Sequence, residues 1–330
     1  MSVSALEQRP LVTFAVFAFN QEEYIRDAVL AAFSQTYEPL EIILSDDCSS
    51  DRTFEIMVEM ARGYCGPHQV RVRRSSKNFG VLKHVLSVAR DAHGEIFVVA
   101  AGDDVSESIR TAVIVEQLVS SNHSAISSDD TIIDEGGTER VWDENRLKQR
   151  KIWHQENSSW LHGATSAYRS RFLQSLPIIE TPVFYEDQVF SDIMQALGMT
   201  TGRIEEPLVK YRYHLQNLSN RISEDTSHQA VELQSIIRWY RASEAKRYSF
   251  EYLKNDAKNA SEHRLRKLKL EYQYLRELSH WQDSGLTGKI RLVYYSIKSG
   301  NFRSFVPRVF GKQFFLKAKR LQRLLQKSKT

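Results

Sequence analysis

The sequence predicts an α/β fold: a mixed, mainly parallel sheet with helices on both faces, followed by a C-terminal helical extension rich in basic residues. Three observations carry that prediction. Short apolar runs alternate with helix-patterned segments through residues 11–120. Residues from about 226 to 282 favour helix, with charges spaced along them. After Asp283 every charged residue is Lys or Arg.

Residues 11–17, 40–44, 70–73 and 96–101 read as strands, rich in Val, Ile and Phe. Between them, residues 22–34, 52–61, 81–92 and 107–119 place apolar side chains three and four apart, the helical spacing. Strand–helix alternation with short links implies parallel strands joined by crossover helices. Ligands on such sheets bind beyond the carboxyl ends of the strands, so the residues just after each strand matter most. Residues 129–160 are polar and lack periodicity, and they read as a loop over the site with Gly136-Gly137 as a turn. A second ordered stretch spans 161–215. The expected organisation is a tail at 1–9, a catalytic domain at 10–220 and a helical, basic extension at 221–330, which Pro307 and Gly311 interrupt.

Composition narrows the function. The longest apolar run, residues 11–19 with Thr13 inside it, has strand length and cannot span a bilayer. The first residues show no basic-then-apolar export signal, and two cysteines, Cys48 and Cys65, make no disulfide framework, so a cytoplasmic location is expected. The formal net charge of +4 divides into +12 after Asp283 and −8 before it. Nucleic-acid enzymes put positive charge on the catalytic part. Here that part is acidic, which argues against a nucleic-acid substrate.

The chemistry-bearing residues sit where the sheet predicts. Asn20, after the first strand, could cap the next helix, whose positive end suits Glu22 and Glu23. Asp46-Asp47 follow the second strand, and Asp51 suits capping, whereas the doublet does not. A carboxylate at that edge can accept from a base N–H or a ribose hydroxyl. Gly102-Asp103-Asp104 follow the fourth strand, with Gly102 allowing a tight turn. Four carboxylates at one edge would repel without a cation, and hard oxygen ligands suit Mg²⁺ or Mn²⁺ bridging a diphosphate.

The ordered series Asn20, Ser34-Gln35-Thr36-Tyr37, Glu41-Ile42-Ile43-Leu44-Ser45-Asp46-Asp47-Cys48-Ser49, Asp51, Thr53, Asn78-Phe79-Gly80, Gly94-Glu95 and Gly102-Asp103-Asp104 resembles the family 2 glycosyltransferases, which have the GT-A fold and invert the anomeric centre. The resemblance covers residues 10 to about 220. It implies that Phe17 and Phe19 lie along the nucleotide base of a nucleotide-sugar donor. Asp46 or Asp47 would bond base or ribose, with Asn20, Asn78 and Gly80 also lining the donor. Asp103 matches the last acid of the family's Asp-x-Asp metal motif. Ala101 replaces the first acid, leaving Asp103, helped by Asp104, to hold the metal and donor phosphates. Tyr185-Glu186-Asp187-Gln188 resembles the family's Glu-Asp motif, whose Asp deprotonates the acceptor hydroxyl; here that is Asp187, with Glu186 beside it. His162-Gly163-Ala164-Thr165 resembles the strand bordering sugar and acceptor, which assigns Gly163 and Thr165 there. Tyr211-Arg212-Tyr213-His214 resembles a segment of bacterial members, in which Arg212 meets the departing diphosphate and His214 completes the metal shell. A purely structural histidine is the competing reading of His214.

The function implied is transfer of a sugar to a hydroxyl acceptor, by analogy a lipid-linked oligosaccharide in surface-polysaccharide assembly. The alternatives are a sugar nucleotidyltransferase and a catalytically idle nucleotide-sugar-binding partner. The first would carry a Gly-rich, Arg-containing loop after the first strand, and residues 17–22 contain neither Gly nor Arg. In residues 284–330, aromatic and aliphatic residues interleave with Lys and Arg, a pattern that fits an anionic membrane surface and peripheral attachment. The competing readings of that tail are a solvated face or packing on protein.

Overall fold

The computed structural model describes residues 9–140, 161–180, 182–214, 217, 228–255, 260–281 and 283–301. Backbone contacts divide the chain into two units, Met1–Arg221 and Ile222–Thr330.

The first unit holds a mixed sheet of nine strands among the described residues: β1 (Val12–Ala18), β2 (Leu40–Asp46), β3 (Gln69–Arg74), β4 (Ile96–Ala101), β5 (Val105–Ser106), β6 (Ala125–Ile133), β7 (Glu139–Arg140), β8 (Ser166–Arg169) and β9 (Thr201–Arg212). Their order is β3-β2-β1-β4-β8-β6-β9-β5, with β7 on β6. The helices are α1 (Ile25–Phe33), α2 (Thr53–Arg62), α3 (Val81–Asp91), α4 (Arg110–Val119), α5 (Ser170–Ser175) and α6 (Glu186–Ala196). β1 to β4 are parallel, as the alternating sequence predicts. The other half adds antiparallel pairing of β8 with β4 and β6, while β6 and β9 run parallel.

Each central strand is apolar on both faces because helices cover both. Phe14 sits level with Ile42 on β2 and Val98 on β4, and all three are fully buried. They join Val29, Ile56, Ile114 and Leu118 in one continuous core. Burying side chains of this size contributes about 1.5–3 kcal/mol each. This layer sets the register of the strands and therefore the position of the loops at their ends.

The chain builds outward from β1 to β3 on one side, then returns to place β4 on the other side of β1. That reversal opens a crevice beyond the carboxyl ends of β1 and β4, where open parallel sheets bind ligands.

One expectation is corrected. Residues 129–133, expected within a loop, are the second half of strand β6, and a turn at Gly136-Gly137 leads to β7. Register shifts on either side of Asp129 interrupt the inside–outside alternation that would have marked the strand, and Arg203 of β9 pairs with Asp129 at 2.7 Å. Residues 141–160 lie outside the described residues.

The second unit consists, among the described residues, of α7 (His228–Asn255), α8 (Glu262–Ser279) and α9 (Leu286–Lys298). Tyr274, Leu278 and Leu292 form its core, with Trp239, Leu275, Trp281, Val293 and Tyr295 packed against them. Lys246 pairs with Glu271 at 3.0 Å between α7 and α8. Pro307 and Gly311, expected to interrupt the tail, lie outside the described residues.

Candidate active site

The crevice is walled by the ends of β1, β2 and β4. Phe17 pairs with Ser45 and with Ala101 on its neighbouring strands. Its ring meets the edge of His84 at 5.0 Å and Phe97 at 6.3 Å, while Phe19 is 44% exposed. His84 is buried against Ser45 Oγ at 2.6 Å. Burial, reinforced by Arg73, pushes its imidazole down to about 3, so it is neutral. Asn20 adopts φ +52°, a conformation Asn tolerates better than most residues. It does not cap α1. Its Oδ1 accepts from Ser50 N at 2.8 Å and its own N–H donates to Ser49 Oγ, tying the loop after β1 to the loop after β2.

The first acidic doublet splits into two tasks. Asp46 is fully buried, and its Oδ2 accepts from Ser49 N at 3.0 Å and pairs with Arg74 Nε at 3.1 Å. Its Oδ1 is buried without a partner. Asp47 accepts from Phe79 N and Gly80 N at 2.9–3.1 Å and so fixes the Asn78-Phe79-Gly80 turn that starts α3. Burial nevertheless leaves its carboxyl above the usual range. Asn78 accepts from Gly80 N at 3.0 Å.

The second doublet splits in the same way. Gly102 N donates to Phe17 O, and a Cβ on Gly102 would stand 2.8 Å from Ala18 Cβ, which explains glycine there. Asp103 Oδ2 lies 2.9 Å from His214 Nε2, a contact spanning more than a hundred residues of chain. Asp104 Oδ1 accepts from Arg212 N at 2.8 Å, and its Oδ2 is buried without a partner. Burial and the neighbouring Asp103 push the Asp104 carboxyl well up. The four carboxylates are thus compensated separately rather than gathered round one point. Among the described residues no group of three His, Cys, Asp or Glu side chains is arranged to hold a metal ion.

Arg212, expected on a departing diphosphate, has a different task. Its side chain is 3% exposed. Its nitrogens donate to Asp103 O, Asp134 O, Glu135 O and Asp27 Oδ2, and its guanidinium lies 5.0 Å over the Tyr24 ring. It is a strut joining β9 to α1, the β6–β7 turn and the Asp103 loop. Tyr24 also stacks obliquely on His214 at 4.8 Å.

At the start of α6, Gly163 N donates to Asp187 Oδ2 at 3.3 Å, and a Cβ on Gly163 would collide with the Glu186 carboxylate. Burial raises both carboxyls, and His162 opposes the rise at Asp187. Thr165, expected beside sugar, is fully buried with its hydroxyl on Ser127 Oγ at 2.7 Å. The 162–165 turn is anchored by Arg110, whose guanidinium reaches both Ala164 O and Val99 O of β4. That bridge links the α6 carboxylates to the strand that leads into Asp103.

Sequence reading gave no task to Arg74, His84, Arg110 or Asn217. Arg110 is fully buried in α4, and burial lowers its guanidinium to about 9 despite the opposing Asp104. Its mixed sequence neighbourhood, Ser106-Glu107-Ser108-Ile109 before it and Thr111 after it, reads as an ordinary helix start and does not signal that role. Asn217 accepts from His214 N at 2.6 Å and donates to Arg212 O, holding the turn that carries His214.

The model of Glycosyl transferase family 2 matches residues 13–176, which contain the crevice, both acidic doublets and the Gly163 turn. The chain belongs to that family. It is therefore a glycosyltransferase of the GT-A fold. An uncharacterised glycosyltransferase of Haemophilus influenzae is 25% identical over 242 residues, covering 69% of this chain and 73% of that protein. Two solved structures share the fold, each with a TM-score of 0.55. S. aureus TarS in complex with UDP-GlcNAc is 17% identical, covering 90% of this chain and 81% of that one. The mannosyltransferase PcManGT of Pyrobaculum calidifontis, in complex with GDP-Man and Mn²⁺, is 16% identical, covering 93% and 89%.

Proposed function

We propose that this glycosyltransferase displaces a nucleoside diphosphate from a nucleotide-sugar donor by direct attack of an acceptor hydroxyl, inverting the anomeric carbon. The observation that carries the reading is the Gly163 N–H on Asp187, on a turn that Arg110 fastens to the strand leading into Asp103. Donor-side and base-side groups are thereby held on one rigid frame.

Asp187 is the group we assign to the acceptor proton. A sugar hydroxyl is barely acidic, so its attack needs a carboxylate that takes the proton as the bond forms. Burial raises Asp187 and makes it a stronger base than an exposed carboxylate. Glu186 shares the buried pocket, and burial together with the neighbouring Asp187 raises its own carboxyl. On the donor side, the free Oδ1 of Asp46 supports a bond to a base or ribose donor group. Phe17 and the exposed Phe19 offer apolar surface to the base. Asn20, Asp47, Asn78 and Gly80 hold the loops that frame it.

Asp103 fits a divalent cation such as Mg²⁺ or Mn²⁺, which favour carboxylate oxygen, and His214 stands beside it as a second candidate ligand. Mg²⁺ commonly takes one or two protein carboxylates and completes its shell with substrate phosphates, which matches a pair left by the Ala101 replacement. Such a cation would offset charge on the leaving diphosphate. Asp104 supports the pair from behind by fixing the backbone of Arg212.

For the acceptor, the basic residues 284–330 support a lipid-linked saccharide at an anionic membrane, as in surface-polysaccharide assembly, with the enzyme peripheral at its cytoplasmic face. Among the described residues no helix is long and apolar enough to cross a membrane. The test is a melting-curve panel of nucleotide sugars with and without Mn²⁺, followed by transfer and donor-hydrolysis assays with the best donor. A donor that stabilises the enzyme only with Mn²⁺ and is turned over supports the reading. Binding without turnover to any acceptor or water would favour an idle partner.

A further inference from the structure

The helical unit carries an apolar surface that its own packing does not use. α9 buries Leu292 and Ser296, and Leu292 packs with Tyr274 and Leu278 of α8. On the opposite side, Ile290, Tyr294 and Ile297 are 61%, 52% and 56% exposed. At about 100° per residue these three fall within roughly 60° of arc and span about 10 Å of helix. They form a stripe rather than scattered exposure. Lys289 flanks it on one side, Arg291 and Lys298 on the other, and all three are exposed. Lys298 reaches over the Tyr294 ring at 5.9 Å.

Charge narrows what can cover this stripe, because its basic flanks favour an anionic surface. α9 contains no acidic residue, and residues 302–330 add nine Lys and Arg without one Asp or Glu. A second copy of α9 would bring the same cations against themselves, and the tail would repel the stripe's flanks in the same way. A surface of anionic headgroups over hydrocarbon satisfies both parts. Lys can lay its methylene stem along apolar surface and send its charge to phosphate, and Tyr suits the boundary between the two media.

We infer that α9 is the element that enters the membrane, lying in its plane with Ile290, Tyr294 and Ile297 below the headgroups and Lys289 and Lys298 on lipid phosphates. This rests on the reading that residues 284–330 bring the enzyme to an anionic membrane, and narrows it to one face of one helix. A short helix with a polar flank and an apolar stripe gains affinity from buried area and from charge together. The electrostatic part weakens with salt and the apolar part does not.

The experiment compares the full-length protein with the combined Ile290→Gln, Tyr294→Gln and Ile297→Gln variant. Both are co-sedimented with phosphatidylcholine vesicles with and without phosphatidylglycerol, across a salt series. Melting curves and size-exclusion profiles are taken on the same samples. The expected result is that the natural protein binds only the anionic vesicles. The variant melts and elutes as the natural protein does, yet binds about tenfold or more weakly and is released at lower salt. Unchanged vesicle binding by the variant overturns the assignment to α9 while leaving the tail's attraction standing. A change of oligomeric state with vesicle binding intact overturns it in favour of a second copy. Failure of the natural protein to bind any vesicle removes the membrane reading itself, and this inference with it.

Discussion

The two ends of strand β2 handle buried carboxylates in opposite ways. At the start of the strand Glu41 is saturated: Thr13 Oγ1 and His93 N donate to one oxygen at 2.7 and 3.1 Å, and Arg71 and His93 Nδ1 meet the other at 2.7 and 2.8 Å. Burial alone would raise its carboxyl, but these partners outweigh burial and hold it below the usual range. At the end of the strand Asp46 keeps one buried oxygen without a partner, and beyond β4 Asp104 does the same. A buried polar atom left unpaired costs free energy, so natural structures retain few of them. The saturated end supports the fold. The unsaturated end is where a ligand has something to offer.

The largest expected effect is at Asp103, the partnered acid next to Asp104 at that edge of the sheet. Asp103→Ala removes the partner of His214, and metal-dependent transfer should fall below detection. Circular dichroism and the melting curve should report an intact fold, because the residue lies outside the core layer. Near-normal turnover in that folded variant would remove Asp103 from the metal and donor.

Asp187→Asn comes next. It keeps the size and one of the two oxygens that accept Gly163 N–H and Gln188 N–H but cannot take a proton, so transfer should drop by roughly 10²–10⁴-fold with donor affinity nearly unchanged. Glu186→Gln should cost less; the reverse order in steady-state kinetics would exchange the two roles.

A direct test of the contrast pairs Asp46→Asn with Glu41→Gln. The first should weaken donor binding by about tenfold to a hundredfold, the loss of a hydrogen bond to a charged acceptor, with a modest change in melting temperature. The second should cost about 2–3 kcal/mol of stability and leave the activity per folded molecule unchanged. The sign with pH follows from the lowered carboxyl. Glu41 stabilises fully above its unfolded value, and that contribution is lost as pH falls through the folded one, so denaturation in acid should be shallower in Glu41→Gln. Equal donor affinity in both variants would erase the distinction drawn between the two ends.

The smallest effect concerns Glu186, whose carboxyl is raised by burial and by Asp187. A raised carboxyl favours folding in its protonated form. Stability is therefore complete below the ordinary Glu range and is lost as pH climbs through the folded value. Melting temperatures from about pH 5 to about pH 9 should fall more steeply for the natural protein than for Glu186→Gln. Parallel curves would mean that the carboxyl is not buried as described.

The sequence by itself determined the parallel β1–β4 layer, its helices and the positions of both acidic doublets. These depend on short-range chemistry: strand and helix periodicities show in a few consecutive residues, and paired acids after an apolar run mark a strand's end. Tertiary structure decided which acid of each doublet is spent on the scaffold, Asp47 on the α3 turn and Asp104 on Arg212 N, because each choice depends on a backbone N–H thirty to more than a hundred residues away. It made Arg212 a strut and turned Thr165 toward Ser127. It buried Arg110 as the bridge between the Gly163 turn and β4, and it continued β6 through a polar stretch whose partner, β9, lies some seventy residues later. No local pattern carries such information, since hydrogen bonds between distant segments exist only after the core has set where those segments meet.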